Sequence, residues 1–251
     1  MIDATDGQDS PGDGARPPLL GVVGGMGPVA SAGFLATLYR LNIPEREQDA
    51  PGCILLSDPT FPDRTEAILR GETGELAERL ADAVAALLEL GAARVVIACV
   101  TIHRVLPELP GDLRRRVVSL VDLVVDELLA DPRERLLLAT TGSREGGVFT
   151  AHPRWVGVAG SVRHPEPADQ EALHERLYRL KRGEDPAAAV PFVEELEARY
   201  AVAGLVFGCT ELHLLQRPLA ERGAATGGRI VDPLMTAARR WREVVDGLYP
   251  C

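Results

Sequence analysis

The sequence predicts an α/β protein with two pseudo-symmetric lobes, each a parallel-type sheet flanked by helices, and an active site in the cleft between them. Three observations lead to this prediction. The chain opens with an apolar strand, a glycine-rich loop at 24–28 and a helix, the usual start of an α/β unit. Helices and apolar runs then alternate, which favours parallel strands. Finally, the run ending at Cys99 is repeated in layout by the run ending at Cys209, since a threonine follows each cysteine closely and a histidine comes four residues later.

The first half supplies the clearest individual elements. A helix is expected at 75–90 because Leu76, Leu80 and Val84 recur at three-to-four spacing and Gly91 stands where a C-cap belongs. Segment 58–65 holds two prolines and is read as a rigid loop at the carboxyl end of a strand. The elements predicted are strands at 18–23, 53–57 and 95–98, with helices at 29–39, 75–90 and 104–109.

The second half repeats this order. It starts at 117–121, and its run at 135–143 again leads from apolar residues into a polar loop with a glycine. The elements predicted are strands at 155–158, 204–208 and 229–231, with helices at 123–129, 169–181, 186–200 and 233–248. The expected division is therefore a disordered tail at 1–17, a first lobe at 18–116 plus 232–251, and a second lobe at 117–231.

Composition limits the possible partners. A net charge of −10 argues against nucleic acid, because phosphate binding needs a basic surface. No apolar run approaches the roughly 18 residues of a membrane span. The first 17 residues lack the basic start and apolar centre of a signal peptide. The expected partner is therefore a small molecule, not a nucleic acid or a membrane.

The four cysteines are too few and too scattered for a disulfide scaffold or a metal site. Free thiols fit a reducing, cytoplasmic compartment. Cys53 and Cys251 are interpreted as unreactive. Neither a dinucleotide fingerprint nor a P-loop lysine follows the first strand, which disfavours a nucleotide cofactor.

Cys99 and Cys209 point to acid–base chemistry if they face one cleft. Two bases on opposite faces of a carbon acid invert it most simply, one removing a proton while the other donates one. We expect each thiol pKa to be lowered at a helix N-terminus. Thr101 and Thr210 are expected to donate hydrogen bonds to a substrate carboxylate. His103 either adjusts the ionisation of the nearby thiol or relays a proton, or it is an ordinary histidine packed on the side of a helix. The same alternatives hold for the histidine at 213.

The arginine at 64 stands in the stiff loop at 58–65. A solvated surface position is the ordinary interpretation of such a residue. A rigid loop also suits a guanidinium fork aimed at a carboxylate. The sequence leaves both interpretations open.

Six short segments together resemble the aspartate/glutamate racemase superfamily, most closely its aspartate racemase branch. These segments, at 21–28, 62–65, 98–103, 140–143, 181–183 and 208–211, are similar to family motifs and lie within about 18–235. The resemblance implies a cofactor-independent amino-acid racemase, commonly a homodimer, that acts on an acidic amino acid. It implies that Cys99 and Cys209 are the acid–base pair. It further implies a substrate site formed by Met26, Gly27, Arg64, Thr101, Thr141, Lys181 and Thr210, supported by His103 and Glu211 and containing no metal.

Two residues depart from the family pattern. Val100 replaces an asparagine that helps to fix the α-carboxylate, and Ala98 replaces a proline. Losing a buried amide hydrogen bond costs roughly 1–3 kcal/mol and leaves an apolar wall. An alternative function is therefore cysteine-nucleophile hydrolysis or acyl transfer on a substrate modified at its carboxyl end. A non-catalytic binding protein on the same scaffold is a third hypothesis.

Overall fold

The computed structural model describes residues 18–223 and 228–247. The tail predicted at 1–17, Cys251 and the end of the last predicted helix, Leu248, lie outside these residues. Two parallel four-stranded sheets form the framework, so the predicted α/β class with two similar lobes is confirmed. The strands are β1 Leu19–Gly24, β2 Cys53–Ser57, β3 Ala92–Ile97, β4 Val117–Val118, β5 Arg135–Leu138, β6 Val162–Arg163, β7 Gly204–Phe207 and β8 Ile230–Val231.

Helices cover both faces of the sheets. They are α1 Pro28–Leu41, α2 Arg64–Arg70, α3 Gly74–Glu89, α4 Gly111–Arg114, α5 Leu120–Ala130, α6 Thr141–Glu145, α7 Pro167–Lys181, α8 Pro186–Tyr200, α9 Gln216–Glu221, α10 Pro233–Arg239 and α11 Trp241–Asp246. Two short 3-10 helices, Thr101–Glu108 and Thr210–Leu215, follow the two cysteine segments. None of the helices described is both long and apolar enough to cross a bilayer.

The two sheets share one topology. In the first sheet the strand order is β2-β1-β3-β4, and in the second it is β6-β5-β7-β8. In the first sheet Val22 pairs with Leu55 on one side and with Val96 on the other. In both sheets the third strand of the order carries a cysteine just past its carboxyl end. The topology thus places Cys99 and Cys209 at equivalent edges of the two sheets.

A shared apolar core joins the lobes. It contains Val22 and Val96 of the first sheet together with Leu137 and Val206 of the second. The opposite face of the first sheet packs on α3, and that of the second sheet packs on α7 and α8. Because the central strands are buried on both faces, their sequences are nearly continuous apolar runs.

The strand predicted at 155–158 is wrong. Trp155–Gly157 is a 3-10 helix, and β6 is the strand that pairs with β5. The indole of Trp155 is buried, with its ring 5.8 Å from that of Phe149. The apolar pattern there reflects packing of a turn on the core.

The boundary predicted between 116 and 117 divides the first sheet. Val117 and Val118 pair with β3, so β4 belongs to the first lobe. Ser119 then accepts a hydrogen bond from the Asp122 amide and caps α5. A two-residue strand is too short to be distinguished by periodicity from the helix that follows it.

Two predicted helices are also revised. The helix expected at 104–109 begins at Thr101 and is of 3-10 type, with Pro107 inside it. The helix expected at 233–248 is divided into α10 and α11, with Arg240 between them. By contrast, α3 begins and ends within one residue of its predicted bounds, and Gly91 follows it with a φ of 93°.

Candidate active site

The two cysteine segments are joined by a direct hydrogen bond across the lobes. The Thr210 hydroxyl donates to the carbonyl oxygen of Ala98 at 3.1 Å. These residues are the immediate neighbours of Cys209 and Cys99. Both cysteines are buried, with exposures of 3% and 4% respectively. The structure therefore brings the carboxyl ends of β3 and β7 together in one enclosed region.

Glu211 links Cys209 to the first glycine loop. Its carboxylate accepts a hydrogen bond from the Cys209 thiol, with Sγ 2.8 Å from Oε2. It accepts another from the Gly27 amide, with N 3.0 Å from Oε1. Burial, and then the Glu211 charge, raise the pKa of the Cys209 thiol well above its usual value. The expectation of a lowered thiol pKa is wrong at Cys209, because desolvation and a neighbouring carboxylate outweigh the start of a short 3-10 helix.

Lys181 is the cation that both thiols share. Burial lowers the pKa of its ammonium, but the charges of Glu211, Cys209 and Cys99 favour the protonated form, and the net shift is upward. The Lys181 nitrogen also lies 4.3 Å from the centre of the Tyr178 ring. One ammonium thus interacts with the ionised forms of both cysteines.

Arg64 holds the loop at 58–65 against the glycine loop. The side chain is buried, and it donates to the Pro62 carbonyl at 2.7 Å and to the Met26 carbonyl at 3.4 Å. Its buried Nε has no hydrogen-bond partner among the described residues. Arg64 therefore has one buried donor that the described residues do not satisfy.

A tyrosine and an aspartate that the sequence interpretation missed close one side of this region. The Tyr178 hydroxyl donates to both oxygens of Asp63 at 2.8 and 2.7 Å. The Asp63 carboxylate also caps α2 by accepting the Glu66 amide. Burial raises the pKa of Asp63, but these hydrogen bonds lower it, with a net downward shift. Tyr178 lies three residues before Lys181, and this helical spacing was the available signal.

A triangle of hydroxyls lies beside the Cys99 turn. Thr101 is 3.1 Å from the hydroxyl of Thr140 and accepts from Ser143 at 2.9 Å, and Thr140 and Ser143 are 3.0 Å apart. Thr101 is therefore already bonded within the protein. Thr141 begins α6, and its amide donates to His174 Nδ1 at 3.3 Å. Thr140 and Ser143 flank the predicted Thr141 and were not singled out from the sequence.

His103 braces the Cys99 turn from behind. Its Nδ1 lies 2.9 Å from the Cys99 carbonyl oxygen, and its Nε2 lies 3.0 Å from the Leu120 amide. An amide only donates, so Nε2 is the acceptor and Nδ1 carries the proton. Burial lowers the pKa of His103 to about 4. Both nitrogens are occupied, which leaves no free position for proton relay.

Both ring nitrogens of the second histidine contact residues other than Cys209. His213 Nδ1 is 2.7 Å from an Asp232 oxygen, and its Nε2 is 2.9 Å from the Thr37 hydroxyl. Burial lowers its pKa, but the Asp232 carboxylate raises it, and the net shift is upward. This pair connects the second cysteine segment to α1 and to the start of α10, which Asp232 caps.

The remaining described thiol is separate from this region. Cys53 lies at the start of β2 and is half-buried. Burial raises its pKa to about 11. In the part of the chain that the structure describes, no three side chains of metal-binding type are grouped. The described residues thus bring two buried thiols, the Glu211 carboxylate and the Lys181 ammonium into one region.

Comparison with known proteins gives a consistent result. The sequence profile described as Asp/Glu/Hydantoin racemase matches residues 23–240. The aspartate racemase of Picrophilus torridus is 22% identical, with a TM-score of 0.76 over 90% of this chain and 94% of that chain. An aspartate racemase homologue from Pyrococcus horikoshii OT3 is 21% identical, with a TM-score of 0.63 over 92% and 100%. Glutamate racemase from Thermus thermophilus is 20% identical, with a TM-score of 0.58 over 93% and 82%.

Proposed function

The chain belongs to the Asp/Glu/hydantoin racemase family, and from that premise we propose that it racemises an acidic amino acid without a cofactor, by proton transfer at Cα between Cys99 and Cys209. The observation that carries the proposal is the shared environment of the two thiols. Thr210 bonds to Ala98, and Lys181 interacts with the ionised forms of both cysteines. Two bases that act on opposite faces of one carbon require such proximity.

In one direction of the proposed reaction, the Cys99 thiolate removes the Cα proton and the Cys209 thiol donates its own proton to the opposite face. Each cycle therefore moves the thiolate from Cys99 to Cys209, and catalysis in reverse moves it back. The thiol proton that Cys209 shares with Glu211 supports its role as the acid in this state. Lys181 offsets the single negative charge wherever it resides.

Substrate binding in this proposal uses two cations, the buried Arg64 and the half-buried Lys181. The unpartnered Nε of Arg64 and the ammonium of Lys181 favour a ligand that carries a carboxylate on its side chain. The loop at Met26 and Gly27, with the turns at Thr101, Thr141 and Thr210, forms the remaining proposed contacts. A homodimer and a cytoplasmic location stay predictions.

The alternative with a cysteine nucleophile needs a histidine that can accept the thiol proton. His103 uses one nitrogen on the Cys99 carbonyl and the other on the Leu120 amide, and His213 is bonded to Asp232. Val100 is buried in the shared apolar core, so its replacement of asparagine adds no polar group for acyl transfer. These contacts favour the racemase hypothesis.

Exchange of the Cα hydrogen of aspartate and of glutamate in heavy water tests the proposal. The wild type should exchange one of them. Cys99→Ser and Cys209→Ser should each interconvert the two enantiomers more slowly by a factor of roughly 10² or more, the scale of general acid–base catalysis. Cys53→Ser is the matched control and should keep full activity, because Cys53 lies away from the site.

Interconversion of the two enantiomers at an undiminished rate in Cys99→Ser would contradict the two-base mechanism. A lack of exchange with both substrates in the wild type would contradict the assignment of an acidic amino acid. Mass spectrometry of the protein with substrate separates the alternative, since a nucleophile leaves an acyl adduct on one cysteine and a two-base racemase leaves none.

A further inference from the structure

A charged cavity lies at the edge of the first sheet where β3 begins. Its volume is about 650 Å³, within the usual range of small-molecule sites. Arg94, near the start of β3, lines it together with Arg116, which immediately precedes β4. Cys99 follows the other end of β3, so the length of that strand separates this cavity from the proposed active site.

The cavity is positive on a negative protein. Arg94, Arg115 and Arg116 line it with a single carboxylate, that of Asp112. None of the three arginines forms an ion pair with a carboxylate of the described residues, whereas Arg79, elsewhere on the surface, does pair with an aspartate. The net charge of the whole chain is −10, so a local excess of positive charge does not follow from composition.

Arg94 is held in place before any ligand arrives. Its Nη1 donates to the carbonyl oxygen of Arg115 at 2.7 Å. The guanidinium lies against Gly247, where a Cβ atom would come 2.0 Å from Nη2. Nε and Nη2 have no acceptor among the described residues. A guanidinium fixed on one edge presents its other donors at low entropic cost.

We propose that this cavity binds a phosphoanhydride chain, as found in nucleoside triphosphates and in inorganic polyphosphate. Three arginines that line one space match several phosphates in a row, because each guanidinium fork can bind two oxygens of one phosphate. Leu88 and Leu113 also line the cavity and supply apolar surface beside the arginines. This surface suits a nucleoside joined to the phosphate chain.

Calorimetric titration of the full chain with tripolyphosphate and with ATP, each without added metal, tests the inference. Both should bind with a Kd below about 1 mM at low salt. The double variant Arg115→Ala with Arg116→Ala should weaken binding by tenfold or more. The matched control is Arg217→Ala with Arg222→Ala, which removes the same charge from exposed positions on and just after α9 and should leave binding unchanged.

The two ligands distinguish the source of the phosphate chain. Tighter binding of ATP supports a nucleotide that uses Leu88 and Leu113, and equal binding supports recognition of the phosphate chain alone. An equal loss of affinity in both double variants would show that binding depends only on non-specific charge, and it would overturn the proposal. No binding of either ligand at about 5 mM would overturn it as well. Racemase activity plays no part in the measurement, so failure here leaves the proposed function untouched.

Discussion

The buried His103 should make the fold less stable as the pH falls through the range in which free histidines become protonated. The native imidazole accepts the Leu120 amide proton through Nε2 and donates to the Cys99 carbonyl through Nδ1. The protonated ring has no acceptor, so it cannot keep the contact with Leu120. The pKa of His103 is lowered by burial to about 4, against an unfolded value of 6.5.

The sign of the effect follows from these two values. Above pH 6.5 the ring is neutral in both states, and the full stability is present. As the pH falls below 6.5, His103 binds a proton in the unfolded chain but not in the native state. The free energy of unfolding therefore decreases until about pH 4. With 1.36 kcal/mol for each pKa unit, the loss from this residue is about 2 kcal/mol at pH 5 and about 3 kcal/mol at pH 4.

Urea unfolding of the wild type and of His103→Asn at pH 7 and pH 5 measures this loss. Asparagine does not titrate, and its amide can still donate to the Cys99 carbonyl. Other titrating groups affect both proteins equally, so the comparison isolates His103. The stability advantage of the wild type over the variant should shrink by about 2 kcal/mol between pH 7 and pH 5. An advantage of equal size at both values would refute the assignment of a neutral, doubly bonded imidazole.

Two further changes examine the residues around the proposed site. In Glu211→Gln the carboxylate that raises the Cys209 pKa is removed, so the limb of the pH–rate profile due to Cys209 should move to lower pH and kcat should fall roughly tenfold or more; an unmoved profile would contradict the coupling. In Gly25→Ala a Cβ would lie 2.3 Å from the Asp58 carbonyl carbon at a φ of 93°, and the expected loss of about 3 kcal/mol should lower the Tm by roughly 10 °C. Gly71→Ala, at a φ of 73° with open space around it, should cost only about 1 kcal/mol, and equal losses in the two variants would refute the steric argument.

The repeated cysteine segments and the sheet architecture were predictable because they depend on local patterns. Apolar runs at 95–98 and 204–208 end at a cysteine, and parallel strands bring their carboxyl ends to one edge. The short strand β4 was assigned to the wrong lobe because two residues carry no periodicity. The segment around the buried Trp155 resembles a strand because a turn that packs on the core is also apolar.

Local sequence patterns do not predict the contacts that define the site. Thr210 bonds to Ala98, and Tyr178 bonds to Asp63, across more than a hundred positions of sequence. The pKa of Cys209 depends on the direction of one side chain two residues away, and composition does not encode that direction. Only the folded chain decides whether Glu211 turns toward the thiol or toward solvent.

The two halves therefore share a layout and differ in the chemistry of their thiols. Cys209 is followed by Thr210 and Glu211 and keeps its proton against a carboxylate, whereas Cys99 is followed by the apolar Val100 and has its carbonyl fixed by His103. In a two-base racemase the enantiomers would meet these unlike thiols in opposite order. Because enantiomers have equal free energy in solution, this asymmetry cannot change the equilibrium ratio. Its effect is confined to the individual rate constants and KM values for the two enantiomers of the substrate.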